Sequence, residues 1–129
     1  MASAANKPIA LVTLILVAGS NYQAREAWIA TATSHLPPSE KSAALLEGLP
    51  SGVLPLQSHS HFLVERIAPG CFCCIGQLAL RVTLNRLLRQ GLTKLYIAMN
   101  DVQHLTELQR TLSLPPYDLI LKCEKVIRL

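Results

Sequence analysis

At 129 residues, with half of them hydrophobic and 16% charged, the chain has the length for one domain with a real core and is too apolar for general disorder. A net charge of +4 spread along the sequence, with few aromatic residues, lacks the basic stripe and stacking platform of a nucleic-acid surface. Four cysteines are present, three of them within Cys71-Phe72-Cys73-Cys74, and thiols so close in sequence make a poor disulfide framework. They fit a reducing compartment, so a cytoplasmic protein is expected.

The first element is expected from Pro8 to Ala18, an apolar run bounded by proline and glycine and rich in branched residues. The run also imitates a signal peptide, but the thiol cluster favours a buried parallel strand, and the stretch is too short to span a membrane as a helix. Residues 1–7 are expected to be a disordered lead into it. Ser20-Asn21-Tyr22-Gln23 has the form of a capping box, with Ala24, Ala27, Trp28 and Thr31 recurring at helical spacing until Pro37-Pro38 closes the segment. Ala43 to Leu46 reads as a short second strand, followed by turn signals over Glu47-Gly48-Leu49-Pro50-Ser51-Gly52 and a loop from Val53 to Ser60.

Phe62 to Ile67 reads as a strand ended by Pro69-Gly70, and the cysteine cluster follows at once. A helix is expected from Gln77 to Gln90, with Leu80, Leu84, Leu87 and Leu88 on one face, Arg81, Arg86 and Arg89 off it, and Gly91 as its stop. Lys94 to Met99 reads as a strand, Asn100 or Asp101 as the cap of a helix phased on Val102, Leu105, Leu108 and Leu112, and Asp118 to Cys123 as a last strand that could continue through Val126-Ile127. Alternating strands and helices imply a single α/β domain over 1–129, a three-layer α/β/α sandwich on a mainly parallel sheet.

Cys71, Cys73 and Cys74 are the candidate metal ligands. Thiolates are soft ligands suited to Zn²⁺ or Cu(I), and three can supply most of a coordination shell. Between a strand end and a helix start, backbone N–H groups and the helix dipole favour the thiolate. The sequence assigns no fourth ligand: His59 and His61 lie a strand length away, and Cys123 in an apolar strand reads as packing. Water or a partner protein could complete the shell. His35 and His104 read as surface groups, and no Ser/His/Asp order or carboxylate pair suggests a catalytic site.

Gly70-Cys71-Phe72-Cys73-Cys74, with the strand before it and the leucine-rich helix and strand Leu95–Met99 after it, resembles the G-C-x-C-C segment of the CobW-type GTPases. These P-loop NTPases are regarded as metal chaperones or insertases. The resemblance implies a P-loop NTPase-like fold, a transition metal (zinc first) on Cys71, Cys73 and Cys74, and a metal-receiving partner. It is best over Phe62 to Met99 and corresponds to the family's front half. The phosphate loop G-x-x-x-x-G-K-[ST] is replaced by Gly19-Ser20-Asn21-Tyr22-Gln23-Ala24-Arg25, with one glycine and no lysine between Lys7 and Lys41. Ser20 and Arg25 are the substitute candidates for holding an anion. The family's acidic strand end has only Asp101 to serve it, and the N-K-x-D motif is absent, so GTP, Mg²⁺ and hydrolysis are not expected. The expected function is a degenerate GTPase-like metal-binding or metal-relay protein; a non-catalytic interaction module, homodimeric on the same fold, and a thiol redox protein are the alternatives. Neither nucleic acid nor a membrane is an expected partner.

Overall fold

A computed structural model describes residues 11–37, 39–48, 56–59, 61–67 and 77–129. The strands are β1 (Val12–Ala18), β2 (Ser42–Glu47), β3 (Phe62–Ile67), β4 (Lys94–Met99) and β5 (Leu121–Arg128); the helices are α1 (Tyr22–Thr33), α2 (Gln77–Leu88) and α3 (Leu105–Leu112). Every strand pairing is parallel, in the order β3-β2-β4-β1-β5.

The period-two geometry of a strand divides the apolar runs between two cores. Val12, Leu14, Leu16 and Ala18 of β1, with Leu95, Ile97 and Met99 of β4, face α2 and α3 through Leu80, Leu84, Leu87, Leu105, Leu108 and Leu112. Ile15 and Val17, with Tyr96 and Ala98, face α1 through Ile29, against which Trp28 is half-buried. The Trp28 and Tyr96 rings meet edge to face at 6.5 Å between centroids. The sheet therefore has helices on both faces, the expected α/β/α sandwich. Continuous apolar strands are what a doubly covered parallel sheet requires.

Several boundaries move. β1 is described from Val12, and the first part of the expected strand, Pro8 to Ala10, lies outside the described residues. β2 extends to Ser42 and Glu47, because both polar ends are buried. The final strand begins three residues later than expected. Tyr117–Leu119 form a 3-10 turn after Pro115-Pro116, and β5 then runs on to Arg128. Leu14 pairs with Cys123 and Ile15 with Lys125, leaving Glu124 as the extra residue of a bulge. Asp101, not Asn100, supplies the cap, accepting from the Gln103 N–H at 2.8 Å and opening a 3-10 turn that leads into α3. Among the described residues no helix is long and apolar enough to cross a membrane.

The two faces of α2 differ sharply in burial, which gives a direct test. Leu84 is fully buried and Leu78 is 73% exposed on the same helix. Leu84→Ala is expected to cost about 2–5 kcal/mol and Leu78→Ala about 0.5 kcal/mol or less, read from urea unfolding midpoints at constant slope.

Candidate functional site

In an open parallel sheet, the crevice for a ligand forms where neighbouring strands send their connections to opposite faces. Here β1 leads into α1 on one face, while its neighbour β4 leads into α3 on the other. The C-terminal ends of β1 and β4 therefore part at Gly19-Ser20-Asn21 and Asn100-Asp101.

Gly19 and Ser20 both adopt positive φ, +89° and +54°. That conformation takes Ser20 out of the extended backbone an N-cap needs, so the cap moves one residue on from the expected position. Asn21, at φ −110° and ψ 170°, accepts from the Ala24 N–H at 2.8 Å. The turn thus opens α1 without a Ser20-led capping box.

Arg25 fills the crevice. It is 3% exposed, and its Nη1 donates to the Gly19 carbonyl at 2.9 Å and the Ser20 carbonyl at 3.2 Å, while Nη2 donates to Asn100 Oδ1. The Asn100 N–H in turn donates to Glu47 Oε1 at 2.7 Å, at the buried end of β2. Burial lowers the guanidinium pKa from its ordinary value, and the charges of Glu47 and Glu26 oppose that shift. Of the two candidates for holding an anion, Ser20 presents its carbonyl to Arg25, and Arg25 presents its donors to protein oxygens. A phosphate cradle has the reverse polarity, with backbone N–H groups turned toward the ligand.

An ion pair lies beside this network. Glu26 is 1% exposed and takes a bidentate pair from Arg66 of β3, at 2.8 and 2.9 Å. Arg66 also donates to the Tyr22 hydroxyl and lies over that ring, 5.6 Å from its centroid. The Tyr22 ring covers Gly48 so closely that a Cβ there would stand 2.4 Å from it, and Gly48 has φ +131°. The Tyr22 pKa is pushed up to about 12, first by burial and then by its hydrogen bond and charge interaction with Glu26.

These contacts revise the phase of α1. The spacing of Ala24, Ala27, Trp28 and Thr31 marks an apolar face, yet the buried residues are Arg25, Glu26 and Ile29. Charge is buried there because partners from β2, β3 and the β4 end meet it, and no helical periodicity reports such partners. Tyr22, Glu26, Glu47, Arg66 and Asn100 thus form part of the site although none was expected there, Tyr22 and Asn100 having been read only as parts of helix caps. The available signal was charge near the ends of two largely apolar strands, Glu47 in β2 and Arg66 in β3.

Cys71, Cys73 and Cys74 lie outside the described residues, in the segment that joins Ile67 at the end of β3 to Gln77 at the start of α2. Cys123 is exposed on β5, and partial burial raises its thiol pKa. His59 sits before β3, bridged to Phe62, and its Nδ1 accepts from the His61 N–H at 3.3 Å. Among the described residues, no group of three or more His, Cys, Asp or Glu side chains is placed to hold a metal ion.

The buried pair should dominate the stability of this end of the sheet. Glu26→Ala is expected to cost about 3–5 kcal/mol by stranding Arg66, and a Glu26→Ala/Arg66→Met double variant less than the sum of the single changes. Tyr22 sets the alkaline limit. Its folded pKa lies above the unfolded value near 10, so the stability it contributes is complete below pH 10 and is lost as pH rises toward about 12. Ultraviolet titration should show one late-titrating phenolate fewer in Tyr22→Phe than in the wild type, with Tyr96, whose pKa burial also raises, titrating late in both.

No protein-family model matches the chain, and no solved structure matches it. Among curated proteins, the zinc chaperone YeiR of Escherichia coli (strain K12) is 33% identical over 91 residues, covering 66% of this chain. The chain spans 27% of that protein's length. With the parallel α/β sheet, this likeness supports a CobW-like relationship.

Proposed function

We propose that the chain is a GTPase-like metal-binding or metal-relay protein that takes a soft divalent cation, zinc first, as cargo on Cys71, Cys73 and Cys74. The likeness to a zinc chaperone carries this reading. The C-x-C-C segment supplies the matching chemistry: three thiols in four residues, ahead of a helix, suit a soft tetrahedral ion. Three protein ligands leave a fourth position for water or for a ligand of the protein that receives the metal, and exchange at that position is how a relay hands its cargo on. Thiols kept free for this purpose belong in a reducing compartment, the cytoplasm.

The relay works without GTP hydrolysis in this reading. Hydrolysis depends on donors that cradle the phosphates, a lysine that neutralises them and a bound magnesium. The Gly19–Arg25 turn has no lysine, and its guanidinium is bonded to the carbonyls of Gly19 and Ser20. Nucleotide would have to displace those bonds and approach beside Glu26 and Glu47, both buried. Metal capture is then governed by affinity and by partner docking, not by a nucleotide cycle.

Elemental analysis of protein purified under reducing conditions, with competitive zinc titration, tests the proposal. About one equivalent of zinc is expected per chain, with its affinity lost in Cys71→Ser, Cys73→Ser and Cys74→Ser and kept in Cys123→Ser. Absence of binding at micromolar zinc, or binding that survives the triple substitution, overturns it. Millimolar GTP with Mg²⁺ is expected to leave the melting temperature unchanged, whereas nucleotide binding would raise it by mass action.

A further inference from the structure

The three helices present different outer faces. On α1 the exposed residues are Gln23, Ala27 and Thr31, all uncharged, and on α3 the exposed Glu107 and Arg110 carry opposite signs. α2 differs from both. Its Leu80, Leu84 and Leu87 are buried, and at about 100° per residue Leu78, Val82, Asn85 and Arg89 fall on the opposite side. Leu78 is 73% exposed and Val82, one turn on, 56%. The outermost part of this half of the helix is therefore apolar, where a surface helix is ordinarily polar.

Arginines surround that apolar pair. Arg81 and Arg86 flank the stripe and Arg89 ends it, all three exposed. Arg86 donates to Glu65 Oε1 of β3 at 2.6 Å, whereas among the described residues Arg81 and Arg89 have no ion-pair partner. From Arg66 to Asn100 the sequence holds five Arg and Lys residues and no Asp or Glu, so this stretch brings no acid of its own to meet them. Basic residues near a helix C-terminus complement its dipole, which accounts for Arg86 and Arg89. It accounts neither for Arg81 in the second turn nor for two apolar side chains turned away from the core.

The chemistry of the face selects its occupant. Two apolar side chains are too few to enter a bilayer, and α2 has no aromatic ring on which a base could stack. A helix that is apolar at one end and acidic at the other matches both halves of the stripe. Laid antiparallel, it places its carboxylates in its own first turns, where its dipole also favours them, over the arginine end of α2. Its apolar residues then meet Leu78 and Val82 at the i, i+4 spacing of helix recognition.

We infer that the outer face of α2 is a docking surface for an acidic amphipathic helix of a partner protein, held antiparallel by Arg81, Arg89, Leu78 and Val82. One helix pair buries less surface than a stable complex, so the contact is transient. It rests on α2 alone and not on metal binding.

Fluorescence anisotropy tests this with a labelled, end-capped peptide of about 18 residues, carrying glutamates in its first two turns and leucines at i, i+4 in its last two. Binding is expected with a Kd of about 100 μM or tighter, weakening as salt is added. Arg81→Glu/Arg89→Glu and Leu78→Ser/Val82→Ser should each weaken it about tenfold or more, and the peptide of reversed sequence should bind several-fold less well. Lys122→Glu/Lys125→Glu makes the same charge change on β5 and should leave binding unchanged. All of these substitutions are at exposed positions, and circular dichroism checks that each variant is folded. No binding, equal binding of the reversed peptide, indifference to Leu78→Ser/Val82→Ser, or an equal loss in the β5 variant would overturn the assignment. So would tighter binding of a single-stranded oligonucleotide or of phosphatidylserine vesicles abolished by the same arginine substitutions, which would give the face to another class of partner.

Discussion

A buried guanidinium cannot be left without acceptors, and in this chain that requirement shapes the whole C-terminal end of the sheet. Arg25 draws the carbonyls of Gly19 and Ser20 inward, holds Asn100 at the end of β4 and, through it, is tied to Glu47 at the end of β2. Three strands of the sheet are thus joined by one cation. Each of its donors that loses an acceptor would cost about 1–3 kcal/mol or more, so the turn, the cap at Asn21 and the registration of the strand ends are mutually dependent. The same requirement turns the crevice inside out relative to an anion site: oxygen atoms point in, and the positive charge meant to meet them is already part of the protein.

The fold was legible in the sequence because a doubly covered parallel sheet makes the demand that is easiest to see. Its strands must be apolar on both faces, and Leu14 to Ala18, Ala43 to Leu46 and Leu95 to Met99 are. The α2 and α3 leucines were legible for a related reason, since Leu80, Leu84 and Leu87 and then Leu105, Leu108 and Leu112 recur at the helical period and are all buried. α1 was not. Its inward face is Arg25, Glu26 and Ile29, and burying two charges makes sense only once Arg66, Asn100 and Glu47 are seen to converge from other elements. Those partners are separated in sequence by 40 and 75 residues from the helix residues they meet, beyond the reach of any local pattern. Ser20 is a similar case: its polar side chain suits a cap, but a backbone at φ +54° places the cap on Asn21. The three thiols proposed to hold a metal were legible in the sequence, and their arrangement lies outside the described residues.

Burying the Arg66–Glu26 pair beside Arg25 is an expensive way to fill a crevice, because each charge loses water that its partner only partly replaces. What the pair provides is orientation. The bidentate geometry fixes Glu26 against β3, Tyr22 is laid over Gly48, and the first turn of α1 is thereby held on the end of β2 and β3. β3 is also the strand from which the chain runs on to Cys71. Arg66, one residue before the end of β3 at Ile67, therefore anchors the end of that strand to α1.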